Sequence, residues 1–200
     1  MASPEIERVL RLTGGIASWL TTLERETLYG FARACVGRGA IVEIGSSAGL
    51  STVLLALGSK DGAGVPVYAI DPHVFHTAAV FRWNVGRLGV DDVVRPIFAR
   101  SADAAPGFLE PVELLFVDGS HILEDVRLDL ELWVPKLSTA ASSSCTTRTT
   151  MPARAPSRRS SSTAGASSAT CASSTRRPRW RRRPPPRPSS TVCAIAGACS

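Results

Sequence analysis

"AIVEIGSSAGLSTVLLALG", residues 40–58, decides the fold. Its first six residues, apolar but for Glu43 and ending at Gly45, read as a buried strand entering a glycine turn. From Leu50 onward it reads as an apolar helix. Between them, Gly45, Ser46, Ser47, Ala48 and Gly49 are all small. Backbone N–H groups can therefore approach a ligand closely at the start of a helix, where negative charge is favoured. The turn is not the G-x-G-x-x-G of dinucleotide folds, because Ser47 stands at the place of the middle glycine. Taken alone, it also fits a plain strand-to-helix turn.

Downstream the pattern alternates. "VPVYAID" (65–71) reads as a second strand ending in an acid, and "TAAVFRWNVGRLGV" (77–90) as a helix capped by Gly89. "VVRPIFARS" (93–101) reads as a third strand at a sheet edge, since Pro96 has no N–H to give a ladder. "VELLFVDGSH" (112–121) is a fourth strand, and "LEDVRLDLELWV" (123–134) a helix with Val126, Leu130 and Trp133 on one side. Upstream, "SPEIERVLRL" (3–12) and "TTLERETLYGFARACVGRG" (21–39) read as helices. The second opens on a Thr21–Glu24 capping box and places Leu28, Phe31, Ala32 and Cys35 on one face. Strands alternating with helices predict an α/β, Rossmann-like, doubly wound parallel sheet, with ligands at the carboxyl ends of its strands. Three of those ends carry polar or glycine clusters: Gly45-Ser46-Ser47, Asp71, and Asp118-Gly119-Ser120-His121. An acid placed like Asp71 can accept hydrogen bonds from both hydroxyls of a ribose, although a lone loop acid is commonly just solvated.

Four segments in series, "VEIGSSAGLS", "VYAIDPH", "NVGRLGVDDVVRPIFARSAD" and "LLFVDGSHILEDVRLDLELWVPKL", resemble a class I S-adenosylmethionine-dependent methyltransferase. The resemblance is to the small O-methyltransferase-like (methyltransferase 24-type) group whose fourth strand ends in D-G-x-H, and it covers roughly residues 38–137. It implies that Glu43 and Gly45 begin the cofactor motif. Ser47, Gly49 and Ser51 would line the methionine end of S-adenosyl-L-methionine, and Ser46 would also bind the cofactor. Asp71 would bind the ribose, and Ser101 and Ala102 would contact the adenine. Asp118 would lie beside the reacting centre; in metal-dependent relatives this acid binds a divalent ion, so Mg2+ is a further expectation. His121 has two readings: a general base taking the proton of an acceptor hydroxyl, since imidazole changes charge near neutral pH, or a helix-start residue bonding locally. The resemblance implies O-methylation of a small-molecule acceptor. His73 and His76 read as substrate-side or solvated residues. Asp125 and Asp129, four apart, read as the wet face of a helix rather than a metal site, and Phe75, Phe81 and Trp83 as core residues, with the border of a substrate pocket as the alternative.

Composition changes sharply at Leu137. All 17 acids precede residue 132, and residues 1–137 carry 12 basic residues, for a net charge of −5; residues 138–200 carry 11 arginines, no lysine and no acid. The sequence is therefore read as an incomplete methyltransferase domain over 1–137 and a disordered Arg/Ser/Pro-rich tail over 138–200. Cys35 reads as a small core hydrophobe, and Cys145, Cys171, Cys193 and Cys199 match no zinc or disulfide pattern. No leader or membrane span is read, and the body is expected to be cytoplasmic.

The tail begins where the resemblance calls for a fifth strand: a Gly-Gly turn, about four apolar residues, then His-Asp. "TAASSSCTT" (139–147) can encode that pattern one base out of step, its apolar run being forced and its glycines and aspartate depending on the bases used. If each shifted codon takes the third base of one residue and the first two of the next, the Thr-Ala and Ala-Ala junctions become N-G-C, which includes Gly. The Ala-Ser and Ser-Ser junctions become N-T-C, which is apolar for any N when serine uses T-C-N codons. The Ser-Cys junction gives N-T-G, also apolar; Cys-Thr gives His or Tyr, and Thr-Thr includes Asp. Residues from about 138 onward are accordingly expected to be out-of-frame translation, and the chain to be inactive without its last strands. The competing reading is a Rossmann-like binding module whose Arg-rich arm, "RRPRWRRRPPPRP" (176–188), holds nucleic acid. An NAD-linked oxidoreductase is weaker, for want of the middle glycine.

Overall fold

The sheet grows from β1 (Ala40–Ile44), which is buried at every position. In the computed structural model, which describes residues 3–138 and 193–196, β1 pairs in parallel with β2 (Val67–Ile70) on one side and β4 (Val112–Val117) on the other. β3 (Val94–Ile97) lies beyond β2, also parallel. The order β3-β2-β1-β4 is that of a Rossmann-like sheet, and Pro96 sits on its outer strand as the missing N–H requires.

Side chains alternate across the pleat, so the sheet is apolar on both faces. Ile41, Val67, Leu114 and Phe116 join one core with α1 (Pro4–Thr13), α2 (Thr22–Ala34), α3 (Leu50–Lys60) and α4 (Ala78–Arg87). Val42, Ile70, Leu115 and Val117 join the other, closed by Phe108 and by Trp133 of α6 (Leu123–Trp133). Trp133 stacks tilted on Phe108 at 5.2 Å between ring centroids and is fully buried.

Local chemistry sets the helix ends. Thr21 and Glu24 form the expected capping box, with the Thr21 N–H donating to Glu24 Oε2 at 2.7 Å. The buried face of α2 is rotated from the expected one: Leu28, Tyr29 and Ala32 are buried, whereas Phe31 is exposed. The cause is the approach of α3. A Cβ on Gly58 would lie 2.3 Å from the Tyr29 carbonyl oxygen, so only glycine lets the two helices meet along that line. Glu113 of β4 closes the α2–β1 connection by accepting the N–H groups of Val36, Gly37 and Arg38 at 2.8, 3.0 and 2.8 Å.

Two features go beyond the sequence reading. The loop after β3 contains a four-residue helix, α5 (Ser101–Ala104), followed by a 3-10 turn. The sequence reading places no strand after Leu137 and leaves β4 an open edge. Instead β5 (Cys193–Ala196) pairs antiparallel with β4, Leu115 opposite Ile195. The unpaired ladder of a buried strand is a template for any β-capable segment, and the stretch around Ile195 is free of arginine and proline. The other expectations for 138–200 fall on residues outside those described, apart from Ser138, whose N–H donates to the Val112 carbonyl at 2.7 Å. Among the described residues no helix is long and apolar enough to cross a membrane.

Candidate functional site

The carboxyl ends of β1, β2 and β4 open into one cavity of about 1140 Å³. The turn after β1 forms its floor. Gly45 adopts φ +90°, and a Cβ there would lie 2.4 to 2.6 Å from the backbone of Asp118 and Gly119. The ends of β1 and β4 therefore touch through a glycine, which brings the turn and the D-G-S-H cluster to the same cavity. Ser47, at the place of a middle glycine, is itself left-handed at φ +43°.

Asp71 ties the second strand to this turn. Its Oδ2 accepts the N–H groups of Ser46 and Ser47 at 3.0 and 2.8 Å, and its Oδ1 that of His73 at 2.6 Å. A carboxylate has about four lone-pair sites, so Oδ1 retains capacity for a further donor from the cavity. Ser46 Oγ is buried beside the cavity with no partner among the described residues.

Of the residues singled out from sequence, Gly45, Ser46, Ser47, Ser51, Asp71, Ser101, Ala102, Asp118 and His121 line the cavity. Glu43 and Gly49 do not. Glu43 lies beneath the floor, fully buried, with one oxygen hydrogen-bonded by the Thr52 hydroxyl and the other unpartnered among the described residues. Burial pushes its carboxyl up to about 8, against the hydrogen bonds of Ser51 and Thr52, with the charges of Asp118 and Asp71 adding to the rise. Gly49 caps α3 and donates its N–H to the Ser46 carbonyl at 2.7 Å, closing the turn from behind. Asp118 is raised to about 6, first by burial, with the nearby His121 acting in the opposite direction and Glu24 adding to the rise.

Three expectations are corrected. Asp129 is not on a wet face: it is 5% exposed and accepts the Ser101 hydroxyl, while Asp125 accepts the Ser120 hydroxyl at 2.6 Å, and both line the cavity. Burial raises the Asp129 carboxyl above its ordinary range, the Ser101 bond lowers it, and Asp125 raises it further. His73 is neither solvated nor substrate-side. It is buried between Phe81 and Phe98, its Nδ1 2.8 Å from Thr77 Oγ1, and burial lowers its pKa although Asp71 opposes this. Phe81 is core, but Phe75 is 87% exposed at the cavity mouth and Trp83 is exposed on α4.

Sequence reasoning also missed Asn84. It is buried on α4, and its Nδ2 donates to the Ala48 carbonyl at 2.8 Å, fastening the turn to the helix. No sequence signal marks it beyond its place three residues after Phe81. Asp129 did leave a signal: it falls three residues after Val126 and four before Trp133, on the apolar stripe of its own helix.

Among the described residues no three His, Cys, Asp or Glu side chains are grouped to hold a metal ion. Among the described residues Asp118 has no grouped second and third ligand, so they do not fit Mg2+, and no step is derived through it.

A parallel sheet with a small-residue turn after its first strand and an acid ending its second defines a Rossmann-like domain. Residues 42–142 match the family described as methyltransferase domain, and the chain belongs to that family. This agrees with the resemblance carried by the motifs in 38–137. Solved structures with the same fold include an SAH-bound methyltransferase of Podospora anserina (19% identity, TM-score 0.54, covering 69% of this chain and 59% of that one). An O-methyltransferase of Bacillus cereus in complex with SAH also matches (22%, TM-score 0.49, 66% and 62%). So does the O-methyltransferase TomG of Streptomyces achromogenes in complex with SAM (22%, TM-score 0.46, 66% and 61%). The chain thus spans about three-fifths of the length of each.

Proposed function

We propose that the cavity binds S-adenosyl-L-methionine and that the domain is built for methyl transfer to an oxygen of a small molecule. One observation carries this reading: the turn after β1, the Asp71 carboxylate and the Asp118–His121 cluster meet in a single cavity with α5 at its far side. The residues fit the cofactor. Asp71 keeps hydrogen-bonding capacity toward the cavity for a ribose hydroxyl, the Ser46 hydroxyl, without a partner among the described residues, sits beside the small-residue turn, and Ser101 and Ala102, the residues the resemblance assigns to the adenine, line the same cavity. When bound, the cofactor would supply a methyl group on a sulfonium, already a strong electrophile. The protein's share is to exclude water, align the acceptor oxygen and take its proton. His121 is the residue assigned to the proton. It lines the cavity near Asp118.

The chain as it stands is proposed to be a methyltransferase without turnover: an incomplete domain over 1–137 followed, from about 138, by out-of-frame sequence. The Gly-Gly, apolar, His-Asp reading that the shifted frame at 139–147 allows supports this. The test of the cofactor reading is isothermal titration of the 200-residue protein with S-adenosylhomocysteine and with NAD. Saturable binding of the first alone is expected; binding of NAD alone would replace the reading with an oxidoreductase.

A further inference from the structure

Resting on the reading that the cavity takes S-adenosyl-L-methionine, we infer that the methyl acceptor is a hydroxyl compound carrying a positive charge on a flat apolar body, and that acceptors with an anionic group are rejected. Two independent features carry this: the charges on the cavity wall and the side chains at its mouth.

Four carboxylates line the cavity, those of Asp71, Asp118, Asp125 and Asp129, against one guanidinium, that of Arg100. With His121 neutral, as a base must be, the lining residues carry a net charge of −3. The cofactor does not balance this. Its sulfonium, ammonium and carboxylate sum to a single positive charge, and the ribose hydroxyls assigned to Asp71 bring none. A cleft whose wall carries one sign of charge focuses that field on whatever enters it. An anionic acceptor is therefore repelled, and a cationic one is drawn in.

The four acids are not equally free. Asp71 accepts three backbone N–H groups, and Asp129 accepts the Ser101 hydroxyl. Asp125 is the acid placed to meet an acceptor. It is exposed in the first turn of α6, shortly after His121, and its Oδ2 accepts the Ser120 hydroxyl at 2.6 Å while Oδ1 stays open. The acceptor's hydroxyl and its charge would then be met by two residues of one short segment.

The mouth selects the same chemistry. Trp19, from the connection between α1 and α2, and Phe75, from the loop after β2, line the cavity yet are 68% and 87% exposed. Large apolar side chains left in water around an entrance mark a place where a ligand lies. Ring faces also carry partial negative charge, which attracts a cation. No lysine lines the cavity, and Arg100 belongs to the α5 side, where it precedes Ser101.

The experiment is calorimetric titration of the full 200-residue chain. S-adenosylhomocysteine is added first; then, with that site saturated, tyramine and para-hydroxyphenylpropionate are titrated separately. The two phenols share a ring and a side-chain length and differ in an ammonium against a carboxylate. At about pH 7.5 the amine is charged, and Asp118, raised to about 6 by burial, is ionised. Tyramine is expected to bind at least about tenfold tighter, with an advantage that shrinks as salt is added. In Asp125→Asn the ratio is expected to fall about threefold, the scale of one exposed ion pair. An acid serving only the helix N-terminus would change stability and leave the ratio where it was. Phe75→Ala is expected to weaken tyramine about threefold. The arginines of 138–200 are common to all these proteins, so a shift in ratio belongs to the cavity. The inference is overturned by equal binding of the two phenols, by preference for the carboxylate, by binding of neither, or by an unchanged ratio in Asp125→Asn. Tyramine affinity unaltered in Phe75→Ala overturns the apolar part of it. Failure of S-adenosylhomocysteine to bind removes the cofactor reading and this inference together.

Discussion

Ser47 shows how a single residue carries both the legible and the illegible part of this site. Its position marked it as a departure from a glycine-rich turn, and the backbone there is left-handed at φ +43° as a glycine would be. A non-glycine residue in that region costs about 1–2 kcal/mol, whereas glycine adds back about 0.4–1 kcal/mol of unfolded-state entropy. The strain outweighs the entropy, so Ser47→Gly is expected to raise stability by about 0.5–1 kcal/mol, read as a higher urea midpoint at unchanged slope; a lower midpoint would show that the hydroxyl does more than occupy the turn. Glu43 gives a pH-dependent counterpart. Its carboxyl titrates near 8 in the folded protein against an ordinary 4.5, so folding takes up a proton. The stability this group contributes is fully present below 4.5 and is lost as pH rises toward 8. Glu43→Gln removes the titration. Its urea midpoint is expected to gain on the parent's steadily from about pH 4.5 to about pH 8 and to hold level outside that window. A difference independent of pH would mean that the buried acid is ionised throughout.

At the scale of elements, the sequence was readable wherever a local rule dominated. β1, the turn after it, the capping box of α2, Gly89 at the end of α4 and Pro96 on the edge strand follow from periodicity, glycine and proline chemistry, and all are present. What could not be read depends on contacts distant in sequence. The face of α2 is set by α3, the burial of His73 by Phe98, the anchoring of Ala48 by Asn84, and the placing of Asp129 by Ser101, 28 positions away. Gly58 tests this point. In an exposed helix interior, glycine to alanine gains about 1 kcal/mol. Here the new Cβ would meet the Tyr29 carbonyl oxygen at 2.3 Å and Ala32 Cβ at 3.0 Å, atoms of a helix that packs along its length. Overpacking of that kind costs about 1–3 kcal/mol or more, so Gly58→Ala is expected to destabilise by roughly 1–2 kcal/mol net. A thermal midpoint that rises would show that α2 can move away without loss.

For the whole molecule the question is which chain the sheet was built for. β4 is a six-residue, fully buried strand with Val117 at its end feeding Asp118 into the cavity. A strand of that kind sits inside a sheet. Here its outer partner is four residues, Cys193–Ala196, from far along the chain. The frame hidden at 139–147 would place a Gly-Gly turn and an apolar strand next to β4 directly after α6, then a His-Asp pair at the same carboxyl edge as Asp118. That arrangement would add a further histidine and acid to those already lining the cavity. A gene restored to this frame is therefore expected to yield a protein that unfolds in one cooperative step. It should also turn over S-adenosyl-L-methionine with a small hydroxylated acceptor at least about a hundredfold faster than the 200-residue chain, the lower range of what positioned acid–base groups supply. The rival reading, in which the arginine-rich arm is a working part, makes the opposite demand. It requires nucleic-acid binding by the 200-residue chain that weakens steeply with salt, as counterion release dictates, and that disappears when residues 138–200 are deleted. Methyl transfer confined to the restored frame, with no salt-sensitive binding by the arm, decides for the frame. Turnover by the unrestored chain at a comparable rate would show that β5 suffices to close the sheet and that residues 1–137 already hold every group the reaction needs.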